Sequence, residues 1–283
     1  MSVIVNTGDD EHFYGLHVSP DVDTVIYTLG GVINRVNGWG VEGETFNALD
    51  ALGRLYGKPW FNLGDRDLAT HLYRSERLRS GARLTDVTAE LAQRFHVKSQ
   101  VIPMSDHRVH TFVKLKGRPA IPFQEYFVRG RARGVIENIE LRGIEKARPT
   151  PEVLDSITRA AAVIIAPSNP FVSIGPIVAL TGMRKALKAV RGRVAAISPI
   201  VGGKTIKGPA DKMMRGLGHE ISPLGIARLY RDIVGLMVID IVDHRYLEPI
   251  RALGINAIAT DTVMTTPDHA ARLADVVTRA LEV

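Results

Sequence analysis

The C-terminal half of the chain sets short apolar runs against longer helix-like stretches at regular intervals, and this alternation narrows the possible folds more than any other feature. Residues 161–166 (AAVIIA) form a continuous apolar run that ends at Pro167, the pattern of a strand buried on both faces. A helix-like stretch follows over residues 176–190. A second short run, 194–198, leads into a Gly-rich loop, after which a helix is expected from about residue 209. Residues 236–240 and 257–260 repeat the strand pattern, and 267–281 close with an amphipathic helix. Strands separated by helices are joined in parallel, because a crossover of that length returns the chain to the same end of the sheet. The expected class is α/β, a mainly parallel sheet with helices on both faces.

The N-terminal part begins with an apparent strand, residues 3–5, and the loop Asn6-Thr7-Gly8-Asp9-Asp10. Residues 45–96 look helical, with a break at Gly57-Lys58-Pro59. Residues 98–145 favour β-structure, with alternating stretches at 111–115 and 125–128. The expected organisation is a core built from 1–61 and 151–283, with 62–150 inserted as a helical and β subdomain.

With no cysteine among the 283 residues, disulfides, thiolate zinc sites and cysteine nucleophiles are excluded. The 36 basic and 30 acidic residues leave a formal charge of +6, which suits an anionic substrate and equally nucleic acid. The densest basic stretch, Arg129-Gly130-Arg131-Ala132-Arg133, has few interleaved aromatics and reads equally well as the solvated edge of a β-ribbon. No nucleic-acid partner is expected. No apolar run is long enough to span a bilayer, and residues 1–6 lack the basic and apolar stretches of a signal peptide. A cytoplasmic location with no membrane partner is the corresponding expectation.

Four segments carry the chemistry. The first is Asp9 and Asp10 with Asp21 and Asp23 of the following SPDVDT stretch, four carboxylates beside Gly and Pro at the end of a predicted strand. Open parallel sheets place ligands beyond the carboxyl ends of their strands. Oxygen ligands of this kind suit Mg²⁺, and turn or helix-cap roles suit the same aspartates. The second is GDRDLATH, residues 64–71, read as a loop opening a helix. Asp65 or Asp67 can cap that helix. Arg66 offers a planar fork to phosphate or carboxylate, and His71 is a donor, a general base or a packed side chain.

The third segment is residues 166–176, where Ser168, Asn169, Pro170, Ser173 and Gly175 lie between a strand and its helix. It is either a site presenting hydroxyls and backbone N–H groups to an anion or a well-made turn. The fourth is SPIVGGKT, residues 198–205, one residue short of a Walker A motif. Lys207-Gly208-Pro209 delays the next helix, so a Walker ATPase is rejected, while Gly202, Gly203 and Lys204 remain candidates for contact with a diphosphate.

In this order, NTGDD, SPDVDT, WGVEGETF (39–46), GDRDLATH, PMSD (103–106), FQEYFV (123–128), SNPFVSIGPI (168–177) and ISPIVGG (197–203) resemble the 2-phospho-L-lactate transferase family along essentially the whole chain. The resemblance implies a Rossmann-like core and a Mg²⁺-dependent transferase of coenzyme F-420 biosynthesis, without redox chemistry. Its donor would be a guanosine diphosphate-linked phospho-acid, with lactate, enolpyruvate or glycerate as the acid. The terminal ribityl hydroxyl of the deazaflavin Fo would attack, and GMP would leave. By resemblance, Asp9 and Asp10 are the Mg²⁺ candidates, and Asp21 or Asp23 approaches the Fo hydroxyl. Arg66 holds an anionic part of a substrate, Asp65 and His71 lie in the binding motif, and 168–175 take the guanosine nucleotide. A homodimer is implied in the same way.

Members of that family normally carry a further strand and a GG-T-GG-like loop ahead of the segment matching residues 3–10, which this sequence does not contain. The expectation is an exposed strand edge and a missing phosphate cradle. A different class remains in view: a non-catalytic nucleotide-sugar-binding regulator resembling the gluconeogenesis-factor relatives, which share the general fold.

Overall fold

The computed structural model describes residues 1–282 and divides into two compact units. The first contains residues 1–113, 120–133 and 140–153; the second contains 114–119, 134–139 and the chain from 154 onward.

The first unit opens with β1 (Ser2–Val5) and a hairpin of β2 (Glu11–Phe13) and β3 (Leu16–Val18). Tyr14 and Gly15 form the tip with φ of 53° and 77°, the paired positive values that a tight two-residue hairpin demands. Helices α1 (Pro20–Leu29), α2 (Asn47–Tyr56), α3 (Asp65–Arg79) and α4 (Leu84–Arg94) follow, and β4 (Gln100–Pro103) returns to pair in parallel with β1. Pro20 occupies the first turn of α1, where its missing N–H costs nothing.

Val22 and Ile26 of α1 and Val87 and Leu91 of α4, each pair four residues apart, pack with Val5 and Val101 of the two strands. Ile26 is fully buried, and an aliphatic side chain so placed contributes roughly 1.5–3 kcal/mol. This core holds the end of β1 and the start of α1 in fixed register.

Beyond β4 come β5 (His110–Leu115), β6 (Ala120–Pro122) and β7 (Ile136–Arg142), ordered β6-β5-β7 in one sheet. The expected strand at 125–128 is instead a π-helical turn, Glu125–Arg129. Its side-chain contacts have helical spacing. Phe123 stacks on Phe127 with centroids 5.4 Å apart, and Arg129 pairs with Glu125 at 2.9 Å, each four residues apart.

After α5 (Pro151–Arg159), the second unit builds a four-stranded parallel sheet of β8 (Val163–Ile165), β9 (Val194–Ile197), β12 (Leu236–Asp240) and β13 (Asn256–Thr260), in that spatial order. Between β8 and β9 lie α6 (Ile174–Ala179) and α7 (Met183–Ala189). Between β9 and β12 lie the short hairpin β10 (Ile200–Val201) and β11 (Lys204–Thr205), then α8 (Ala210–Gly216) and α9 (Pro223–Tyr230). Helix α10 (Leu247–Arg251) precedes β13, and α11 (Pro267–Ala280) ends the unit.

Every residue of β9 and β12 is buried, so their sheet is covered on both faces. Leu273 and Val277 of α11 lie on Ala195, Ile197, Leu236 and Val238, the alternate residues of one face. The α/β class with a parallel, helix-covered sheet is therefore as expected.

Details differ from expectation. Ile164 of β8 stays 41 % exposed because β8 is the end strand of its sheet. The helix expected over 176–190 is two, broken where Gly182 takes φ of 91°. The compact units also have other bounds than a core of 1–61 and 151–283 with an insertion at 62–150. Because β1 pairs with β4, residues 1–61 share a unit with residues 62–113. Among the described residues no helix is long and apolar enough to cross a membrane.

Candidate active site

The loop after β1 carries the acidic constellation. Asn6 accepts the Gly8 N–H at its side-chain oxygen (2.8 Å), which closes a tight turn just ahead of Asp9 and Asp10. Asn6 also donates from Nδ2 to Asp21 Oδ2 at 2.9 Å, tying the loop to the first turn of α1. The Gly8 carbonyl accepts the Thr111 N–H at 2.7 Å, so β5 braces the loop from a third element.

The three carboxylates of Asp9, Asp10 and Asp21 feel one another. Burial, then the neighbouring Asp21 charge, holds the Asp9 carboxyl well above the usual carboxylate range. Burial likewise pushes Asp21 up to about 6, opposed by the Asn6 bond. Such a cluster is short of positive charge. Asp9 is 4 % and Asp10 7 % exposed, yet Oδ1 of each lacks a hydrogen-bond partner. Buried oxygens without a protein partner are where a water, an ion or a ligand atom is accommodated. Buried carboxylate oxygens without partners are the hard ligands that suit Mg²⁺ or a similar cation.

Asp23, grouped with these acids in the sequence, is separated from them in the structure. Two residues along a helix turn the side chain by roughly 200°, so Asp21 faces the acidic loop while Asp23 faces α3. There Arg74, fully buried, grips both oxygens of Asp23, from Nη1 at 3.1 Å and from Nη2. Burial disfavours the Arg74 charge, but the facing Asp23 more than restores it. His71 lies on the same helix face, with Nδ1 3.6 Å from Asp23 Oδ2 and Nε2 3.4 Å from Asp67 Oδ1. The Tyr27 hydroxyl donates to Asp67 at 2.7 Å.

Asp23, Asp67 and His71 lie close enough together to hold a cation. Arg74 already supplies positive charge there, so a cation would have to compete with its guanidinium for Asp23. The signal for the network was present in the sequence as polar residues 67, 71 and 74 at helical spacing on one face of α3.

The GDRD motif does something the sequence reading did not anticipate. Neither Asp65 nor Asp67 caps its own helix. Asp65 reaches α2 instead, accepting from Asn47 N (3.0 Å) and Ala48 N (2.9 Å), and from the Thr45 hydroxyl at 2.6 Å. Phe46 holds the N-cap position of α2 and has no oxygen to offer, so the distant carboxylate satisfies those orphan donors. These bonds draw the Asp65 carboxyl down to about 2.

Glu44 caps α3 in return, accepting from Arg66 N at 2.6 Å and Asp67 N at 3.1 Å. Gly64 is required there, since a Cβ would fall 1.9 Å from Glu44 Cγ. Arg66 is exposed and donates to the Glu42 carbonyl at 2.6 Å.

In the second unit, Asn169 accepts from Phe171 N at 2.9 Å and its main-chain carbonyl takes Ile174 N at 3.0 Å, so it organises the turn into α6. Gly175 passes close to the Pro170 carbonyl, 2.9 Å from where a Cβ would stand. Ser168 and Ser173 lie part-buried in the same turn, and Ser173 makes no side-chain cap to α6.

Gly202 and Gly203, with φ of 57° and 76°, form the tip of the β10–β11 hairpin, and the Gly202 N–H is already given to Asp243 at 2.8 Å. Lys204 is exposed on β11. Helix α8 starts only at Ala210, as expected for a loop unlike a Walker motif.

The described geometry therefore joins Asp9, Asp10 and Asp21, joins Asp23 to His71, and gives Asp65 and Arg66 backbone partners. Sequence reasoning placed Asn6 and Ser19 in the right segments without giving them a role, and missed Arg74 and His17, whose partners lie far off in sequence or across a turn.

A family model described as 2-phospho-L-lactate transferase CofD matches residues 1–277. A 2-phospho-L-lactate transferase of Methanosarcina mazei is 37% identical over 280 residues, covering 99% of this chain and 91% of the relative. Phosphoenolpyruvate transferases of Kitasatospora aureofaciens and Streptomyces coelicolor are each 42% identical, covering 97% of this chain and 87% and 88% of their own lengths. Among solved structures, a Bacillus halodurans protein of the UPF0052 family aligns with a TM-score of 0.64 at 15% identity, over 98% of this chain and 90% of its own. At that identity the likeness concerns the Rossmann-like fold alone.

Proposed function

Because the chain belongs to the 2-phospho-L-lactate transferase family, we propose that it moves a phospho-acid group from a guanosine diphosphate-linked donor to the deazaflavin Fo in coenzyme F-420 biosynthesis. The family match over residues 1–277 is the observation that carries this reading. The transferred group is phospholactyl, phosphoenolpyruvyl or phosphoglyceryl.

In the proposed step the terminal ribityl oxygen of Fo bonds to the phosphorus that bears the acid. The bond from that phosphorus to the bridging oxygen breaks, and GMP leaves with the electron pair. The hydroxyl proton passes to a nearby carboxylate or to water. Little covalent work falls to the protein in such a displacement; alignment and charge neutralisation dominate.

Asp9 and Asp10 would hold Mg²⁺, a reading supported by their buried, unpartnered oxygens. Bound there, the ion would neutralise charge on the diphosphate. Asp21, raised to about 6 by burial, is suited to accept or position the Fo hydroxyl proton. Asp23 is spoken for by Arg74, so of the two candidates Asp21 is the better placed. Arg66 keeps an exposed guanidinium for an anionic group. Residues 168–175 are assigned the guanosine nucleotide by family resemblance.

The test is to incubate the purified chain with Fo, Mg²⁺ and each of the three guanosine diphosphate-linked acids, then separate and weigh the fluorescent products. A Mg²⁺-dependent phosphodiester of Fo, with GMP released in equal amount, is the expected outcome, and the productive donor identifies the acid. Tight nucleotide binding with no product from any donor would replace the transferase with a nucleotide-binding regulator.

A further inference from the structure

We propose that His17, assisted by Ser19, is a positioning residue that turns one oxygen of Asp10 toward a divalent cation by holding the other. This rests on the assignment of Asp9 and Asp10 to that cation. Asp10 has two unlike oxygens. Oδ2 receives the Ser19 hydroxyl at 2.8 Å and lies 2.8 Å from His17 Nε2, whereas Oδ1 is buried and has no partner. The carboxylate only accepts, so His17 donates from Nε2. Two donors converging on one oxygen leave the carboxylate a single orientation, and the free oxygen is the one left to ligate. Metal-binding carboxylates are commonly oriented by outer hydrogen bonds of this kind.

His17 is itself held through both its ring and its backbone. On the β2–β3 hairpin, His17 pairs with His12 across the strands, and their rings meet edge to face at 5.0 Å. Its backbone N–H donates to Ser75 Oγ at 2.8 Å, and Ser75 in turn donates to the His71 carbonyl at 2.6 Å. Helix α3, which carries the GDRDLATH motif in its first half, is thus tied through Ser75 to the residue that orients Asp10. The Asp23–Arg74 pair and the Tyr27–Asp67 bond fix that helix against α1. Ser19 stands at the N-cap of α1 and makes no side-chain cap bond. Its hydroxyl is spent on Asp10 instead, a departure from the usual use of Ser at that position.

The experiment titrates Mn²⁺ into the full chain and follows the free-ion signal by electron paramagnetic resonance, with the melting temperature recorded for each variant. His17→Phe keeps a ring and removes the donor, and is expected to weaken Mn²⁺ binding roughly 10–100-fold. His17→Gln, whose amide N–H can reach the same oxygen, should recover part of that loss.

Ser19→Ala removes the second donor with little change of volume and should weaken binding as well; it decides the matter if His17→Phe melts early. Loss of Mn²⁺ in Asp10→Asn with wild-type affinity in His17→Phe and Ser19→Ala would overturn the positioning role alone. Equal Mn²⁺ binding by the wild type and Asp10→Asn would overturn the cation assignment, and the inference with it.

Discussion

Asp10 and Asp240 each lie at the carboxyl end of a parallel strand, and the two carboxylates have opposite fates. Asp240 ends β12 and is saturated. Its Oδ2 accepts both the N–H and the hydroxyl of Thr262, at 3.0 and 2.9 Å, and its Oδ1 accepts Val242 N at 3.1 Å. Asp10 follows β1 with one oxygen clamped and the other buried and unpartnered, beside Asp9, whose Oδ1 is likewise buried and unpartnered. The same residue type at the same kind of position is a structural joint in one unit and a candidate ligand in the other. What separates them is whether local donors use up the carboxylate's capacity.

The sharpest test of that contrast is Asp9→Asn. It should reduce Mg²⁺-dependent turnover by about 10³-fold or more, the scale expected when several kcal/mol of charge stabilisation are withdrawn. Its melting temperature should hold or rise, because burial and the Asp21 charge already work against an ionised Asp9. A steep fall in stability would make Asp9 a joint like Asp240 and break the comparison.

Arg74→Met is expected to cost about 3–5 kcal/mol in denaturant unfolding, since it strands the buried Asp23 carboxylate. A value near zero would mean that Asp23 is free to serve elsewhere. Asp240→Ala should lose roughly 2–3 kcal/mol by leaving the Thr262 and Val242 donors without an acceptor. An unchanged melting temperature would remove its role as a joint.

The smallest effect concerns Asp65, whose carboxyl is drawn down to about 2 from an unfolded value of about 3.9. A depressed pKa contributes stability that is present above the unfolded value and lost as pH falls through the folded one. Asp65→Asn should therefore melt below the wild type at neutral pH, and the gap should close as pH falls from about 4 to about 2. A constant gap would mean that the amide, and not the charge, matters in capping α2.

Much of the second unit was legible in advance. Residues 194–197 and 236–240 are apolar almost without interruption because both faces of their sheet are covered, and that burial leaves a mark on the sequence itself. The turn at 125–129 was not legible. A four-residue stretch of mixed aromatics fits alternation as easily as a tight helical turn, and the stacking of Phe127 on Phe123 decides it.

The acidic cluster was half legible. NTGDD and SPDVDT marked the right segments, but grouping Asp23 with the other three ignored the turn that two residues make around a helix. In GDRD, the motif was recognised and its local use was not, because Asp65 caps a helix whose first residue is Asn47, well outside any window that treats a cap as a neighbour.

By itself, the sequence determined the α/β class, the order of the C-terminal strands and helices, the acidic loop after the first strand, and the family. The first three are properties of hydrophobic period and short-range turn chemistry, which act between residues close along the chain; the family rests on resemblance of the motifs and on the match over residues 1–277. Only the tertiary structure decided which carboxylate meets which donor. Arg74 takes Asp23, Glu44 and Asp65 exchange helix ends, and His17 with Ser19 claims one oxygen of Asp10 and spares the other. Hydrogen bonds depend on a few tenths of an ångström and on direction, and those are fixed only when helices and strands distant in sequence have packed together.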